Sequence, residues 1–159
     1  MAKPVYKPAT ATSKALNVPV PVMPEAAKKK TPEGAKAFVG YWVAMLSYAY
    51  ETGDVKTLDT LGAPECRLCH SQPRNIEALW SNGSWVEGGK LRTAAVEVKV
   101  APRAGRVGLV AQVDQAGLKL HNATGRVIRS GDKQVSAIAF TLHFANGGWS
   151  ILDTKRWVG

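Results

Sequence analysis

The chain has 159 residues, 45% of them hydrophobic, which is enough for one domain with a real core and too little for two. No apolar run reaches the roughly 18–20 residues of a membrane span, and the opening Met-Ala-Lys-Pro lacks the apolar stretch of an export signal. Taken literally, the sequence is that of a soluble cytoplasmic protein. The net charge of +9 raises nucleic-acid binding, but the distribution of charge argues against it. Lys3, Lys7, Lys14, Lys28, Lys29 and Lys30 lie in the N-terminal tail, while Arg103, Arg106, Arg126 and Arg129 scatter over strand turns. No run interleaves basic and aromatic residues as an RNA-binding strand does.

Residues 1–30 hold Pro4, Pro8, Pro19, Pro21 and Pro24 among Ala, Thr, Ser and Lys, which predicts an extended Pro/Lys-rich linker. Its part from Leu16 to Pro24 is apolar for a linker and is expected to dock on the domain surface. Residues 31–159 form the single domain. Thr31 to Asp54 reads as one long amphipathic helix with Thr31 as N-cap, Pro32 at the first helical position and Gly53 at the end. Phe38, Tyr41, Trp42, Met45, Leu46 and Ala49 make its apolar face. Asp54 is placed to cap the next helical segment.

Val55 to Leu61 predicts a short second helix, broken by Gly62, Ala63 and Pro64. A third helical pattern runs through Ile76, Leu79 and Trp80; Pro73 requires it to begin near Ser71 or to kink there. From Ser84 the period changes to two. Strands are expected at Trp85–Val86, at Val96–Val100, at Val107–Val113, at Leu118–Ile128 with a weak point between Asn122 and Gly125, at Gln134–Phe144, and at Trp149–Val158 after the hairpin signal Asn146-Gly147-Gly148. Helices succeeded by an antiparallel meander give an α+β class: a long helix and two shorter ones on a curved sheet of about five to six strands.

The combination of Tyr6-Lys7-Pro8-Ala9, the run Asn17 to Pro24, Thr31-Pro32-Glu33-Gly34, Tyr41-Trp42, Thr52-Gly53-Asp54, the pair Cys66 and Cys69, and Glu87-Gly88-Gly89 resembles an actinobacterial family of uncharacterised lipoproteins. The resemblance covers the first 90 residues or so and extends to the strands by general pattern. It implies the cone-shaped nuclear transport factor 2-like (cystatin-like) fold. It also implies a place in the cell envelope, outside the cytoplasm, although the export signal and lipid-modified cysteine of such proteins are not in this sequence as written.

Cys66 and Cys69 admit four readings. The exported family and the even cysteine count imply a local disulfide clipping the loop before the third helix. Cys66-Arg67-Leu68-Cys69-His70 also spells the c-type haem motif, with His70 as axial ligand and His121 or His143 as later candidates for the second. A redox-active dithiol would be expected in a βαβ context, which this pattern lacks. Zinc would need a fourth ligand beside Cys66, Cys69 and His70.

Beyond the cysteines, His143 shares a strand face with Thr141 and has Asp153 as the nearest carboxylate for general-base chemistry, against an ordinary place on the sheet surface. Tyr41, Trp42, Tyr48, Trp80, Phe140 and Trp149 are candidates to line a cavity between helix and sheet, or else to fill the core. No paired carboxylates, nucleophile elbow or phosphate-binding glycine loop occurs. The expected function is therefore a non-enzymatic binding or accessory domain without cofactor, taking an envelope protein, a cell-wall component or a small apolar ligand. A small enzyme using the cavity and a haem electron carrier are the alternatives.

Overall fold

The computed structural model describes residues 3–158. Helix α1 (Pro32–Thr52) begins where the Thr31 hydroxyl accepts a bond from the Gly34 N–H at 2.9 Å, and ends at Gly53, whose φ of 77° is the left-handed stop expected there. Helix α2 (Lys56–Asp59) is shorter than its apolar pattern suggested. Helix α3 (Arg67–Leu79) starts four residues before Ser71 and carries Pro73 in its interior, so of the two expectations the start near Ser71 is corrected and the helix runs through the proline. The reason is covalent. Cys66 stands at the N-cap position and is bonded to Cys69 in the first turn, so the disulfide sets the start. Pro73 then falls on the buried seam with Cys69 and Ile76.

Seven strands complete the chain rather than five or six: β1 (Trp85–Gly88), β2 (Leu91–Arg103), β3 (Arg106–Gln115), β4 (Leu118–His121), β5 (Val127–Gly131), β6 (Gln134–Ala145) and β7 (Gly148–Arg156). The expected strand from Leu118 to Ile128 is two strands. The Asn122 side-chain carbonyl accepts bonds from the Thr124 and Arg126 N–H groups at 3.0 Å and folds the chain back on itself. The strands form two antiparallel sheets, β2-β3-β6-β7 and β1-β4-β5. The fold is thus α+β, with one long and two short helices and seven antiparallel strands in two sheets.

Alternation decides which face of the large sheet is covered. Val107, Leu109, Ala111 and Val113 of β3 pair with Leu142, Phe140, Ile138 and Ser136 of β6, and their shared face meets α1. Trp42 packs edge-on against Phe140 with ring centroids 5.4 Å apart, between an almost fully buried helix face (Phe38, Val39, Met45, Leu46) and fully buried Leu142 and Ile151. In the small sheet Val86 and Leu120 are buried on one face. On the other face the Trp85 ring stacks on His121, with centroids 5.1 Å apart.

The N-terminal segment is extended for most of its length, and it is tied to the domain. Lys7 and Leu16 pair antiparallel through two backbone bonds, making a small hairpin. At its turn the Thr10 carbonyl accepts from the Trp85 indole N–H at 3.0 Å. The Tyr6 hydroxyl donates to the Glu51 carboxylate, and the Lys90 ammonium lies over the Tyr6 ring. Further along, Met23 packs against the core and Ala27, in a 3₁₀ turn (Glu25–Lys28), is buried, but Leu16, Val20 and Val22 are exposed, so the apolar stretch Leu16–Pro24 docks through Met23 and not along its length.

Removing the α1 cap tests how much the helix start contributes. Thr31→Ala is expected to lower stability by about 1 kcal/mol, read as a lower urea midpoint at unchanged slope.

Candidate functional site

The disulfide and its surroundings anchor the site. The two cysteines have Cα atoms 5.3 Å apart and are both buried. Gly62 lies directly against them: a Cβ there would fall 2.2 Å from the Cys69 Cβ, so only glycine allows the approach. On the loop's other side the Ala63 N–H donates to the Ile151 carbonyl at 2.8 Å and the Ile151 N–H to the Leu61 carbonyl at 3.1 Å. The loop, the disulfide and the start of α3 are in this way fixed to β7.

His70 completes the knot. One ring nitrogen is 2.9 Å from the Asp59 carboxylate and the other 3.0 Å from the Ala63 carbonyl. Two acceptors are both satisfied only by an imidazolium, and the bond to Asp59, helped by that to Ala63, raises the His70 pKa above its ordinary value. Both sulfurs and both imidazole nitrogens of the C-x-x-C-H motif are therefore engaged within the protein, whereas a thioether-linked haem would need both sulfurs and one of the nitrogens. The same arrangement recurs in the small sheet. His121, buried under the N-terminal hairpin, bonds the Gly125 carbonyl at 3.0 Å and Glu87 at 2.7 Å, and these contacts raise its pKa as well.

Fixed against β7, α3 forms one wall of a groove of about 460 Å³ whose other wall is the ends of β6 and β7. Trp42 and Tyr50 reach it from α1; Ser71, Gln72 and Asn75 line it from α3. Thr154 and the rim cations Lys155 and Arg156 come from β7. The lining offers aromatic surface, hydroxyls and carboxamides, a chemistry suited to recognition of an uncharged hydrogen-bonding group.

The six aromatics that are candidates to line a cavity or to fill the core all lie in the core cluster or against it. Tyr41, Trp42 and Phe140 belong to the core, and Tyr48 packs against it. The Trp80 indole donates to the Tyr50 carbonyl at 2.9 Å, and that of Trp149 to the Lys29 carbonyl at 2.9 Å. Of the six, Trp42 lines this groove. His143 and Asp153 lie on one outer sheet face but out of register: His143 stands opposite Ser150, and Asp153 opposite Thr141. Asp54 accepts from the Lys56 N–H at 3.2 Å, as a cap should. Neither the Glu87–His121 pair nor the polar row Ser71, Gln72, Asn75 was singled out by the sequence pattern. The first depends on β1 pairing with β4, while the second was visible as the polar side of an amphipathic helix.

Because both histidines have raised pKa values in the folded state, their contribution to stability is complete below about pH 6.5 and is lost as pH rises through the folded values. The carboxylates with lowered pKa values, Glu25, Glu97 and Asp114, act at lower pH and leave this window to the histidines. The urea midpoint should fall between about pH 6 and pH 8, and fall less in His121→Gln. Reduction of the disulfide should lower stability by about 2 kcal/mol, measured by unfolding with and without a thiol reductant.

No functionally curated protein matches the sequence. Among solved structures the chain is similar to the intermembrane space region of the chloroplast protein ARC6, with 14% identity and a TM-score of 0.59 over 81% of this chain and 98% of that one. It is also similar to Aln2 from a Streptomyces species, with 13% identity and a TM-score of 0.51 over 79% and 90%. A third similar structure is a putative calcium/calmodulin dependent protein kinase II association domain from Xanthomonas campestris, with 16% identity and a TM-score of 0.50 over 78% and 84%. Identities this low carry the fold alone. A family match spans residues 4–155, tail segment included, and the chain belongs to that family of unknown function, DUF6318.

Proposed function

We propose that this protein is a non-enzymatic binding or accessory domain of the cell envelope, of the actinobacterial lipoprotein kind, that recognises a cell-wall component in the groove between α3 and β6–β7. The observation that carries this reading is the lining. Half-buried Tyr50 offers apolar surface to a sugar ring or apolar side chain, while Ser71, Gln72 and Asn75 offer donors and acceptors for hydroxyl and amide groups; Trp42 and Thr154 back the lining and are themselves almost fully buried. The two carboxylate–imidazole pairs suited to acid–base chemistry, Asp59–His70 and Glu87–His121, lie outside that lining and are closed by further hydrogen bonds. This favours recognition over turnover. The Cys66–Cys69 disulfide supports an oxidising compartment.

Titration of the isotope-labelled protein with soluble peptidoglycan fragments tests the proposal. The expected result is movement of the Trp42 indole signal and the Ser71 and Asn75 amides, with the fragments recovered intact. Gln72→Ala with Asn75→Ala should weaken binding about tenfold, the loss of one to two hydrogen bonds. Cleaved fragments would show an enzyme instead. Absence of movement at these residues would refute a groove for cell-wall fragments.

A further inference from the structure

On the outer face of the large sheet, away from α1, three strands align a row of basic side chains. Arg103 of β2 is the register partner of Arg106 of β3, and Arg106 is the partner of His143 of β6. Cross-strand partners point to the same face with Cβ atoms about 5 Å apart, and like charges placed opposite one another are destabilising. Neither arginine forms an ion pair among the described residues, although Lys99 and Arg92 on the same strand are each held by a carboxylate. Two exposed arginines thus stand opposite each other in the register at the Ala104-Gly105 turn, with His143 next in the row. Such a local conflict points to a ligand that resolves it.

In the next row on this face Val100 leans over a glycine. Val100 pairs with Gly108, and Gly108 with Thr141. A bulge in β2 between Val98 and Val100 turns the Val100 side chain over Gly108, where a Cβ would lie 2.9 Å from the Val100 Cβ. These strands border a cleft of about 570 Å³ with an apolar side, Val100 and Ala101, and a basic end, Arg103, Arg106 and His143; Thr141 adds a hydroxyl and Gly108 backbone. Val100 is 64% exposed, which is apolar surface left to water. Asp153, across from Thr141 on β7, stands at the far end of that row and does not line the cleft; Glu97, further along β2, is paired with Lys99.

We infer that this cleft, formed by Arg103, Arg106, His143, Thr141, Gly108 and Val100, is a binding site for a small amphipathic oxyanion: a carboxylate or phosphate head on a short apolar body. The head is held by the two guanidiniums, whose forked donors match either oxyanion, and the body lies along Val100 and Ala101. The site is separate from the groove at α3 and independent of what that groove takes.

Amide-resolved titrations with hexanoate, hexyl phosphate, acetate, inorganic phosphate and hexanol test both halves of the site. Hexanoate or hexyl phosphate should shift Gly108, Thr141 and His143 and bind more tightly than the head alone or hexanol; which of the two is tighter identifies the head. Arg103→Gln with Arg106→Gln, both exposed and away from the core, should weaken that binding about tenfold or more. Lys133→Gln, a cation at the opposite end of β6, should leave it unchanged. The inference is overturned if neither compound shifts these residues at about 10 mM. Hexanol binding equally well, or Lys133→Gln weakening binding as much as the arginine changes, would overturn it too.

Discussion

The fold depends on one contact, the apolar face of α1 against the inner face of the large sheet. Phe38, Trp42, Met45 and Leu46 meet Leu109, Phe140, Leu142 and Ile151, and these groups are nearly or wholly withdrawn from water. Buried apolar surface of this extent is the main favourable term in folding. Its geometry also ranks everything else. A helix lying across one face of a sheet leaves the other face free, with the small sheet β1-β4-β5 and α3 arranged around it.

Two peripheral elements turn that frame into surfaces. At one end, the N-terminal hairpin covers the Trp85–His121 face of the small sheet, which would otherwise expose a stacked aromatic pair. The hairpin is held by polar contacts, the Trp85 indole on the Thr10 carbonyl and Tyr6 on Glu51, because proline-rich chain has few apolar side chains to bury. At the start of α3, a disulfide that closes one helical turn does little to the entropy of the unfolded chain compared with a long-range bond. Its larger effect is positional: with Gly62 beneath it and the Ile151 backbone alongside, it fixes where α3 begins, and hence where Ser71, Gln72 and Asn75 face β7.

The two histidines with raised pKa values share a device with different settings. Each imidazole joins a carboxylate to a backbone carbonyl, His70 across the α2–α3 loop and His121 across β1 and the β4–β5 turn. In each case the charged ring satisfies both acceptors, so the pairs act as cross-links between segments distant in sequence. That leaves His143, the one of the three without such a pair of acceptors among the described residues, on the open sheet face beside Arg106.

The sequence by itself determined what local pattern controls. The span of α1 came from Thr31, Pro32 and Gly53, because caps and a 3.6-residue period act within a few residues. The alternation of β3 and β6, and the hairpin at Asn146-Gly147, were likewise legible, as was the α+β class. Tertiary structure decided the rest. The split at Asn122 arises from side-chain bonds to the backbone that a hydrophobic pattern does not register, and the early start of α3 arises from a covalent link. The pairing of β1 with β4, the placing of Trp42 at a groove and Trp80 and Trp149 elsewhere, and the alignment of Arg103, Arg106 and His143 depend on register between strands far apart in the chain. A one-residue change of register reverses every side chain on a strand, and that choice is made by packing against α1.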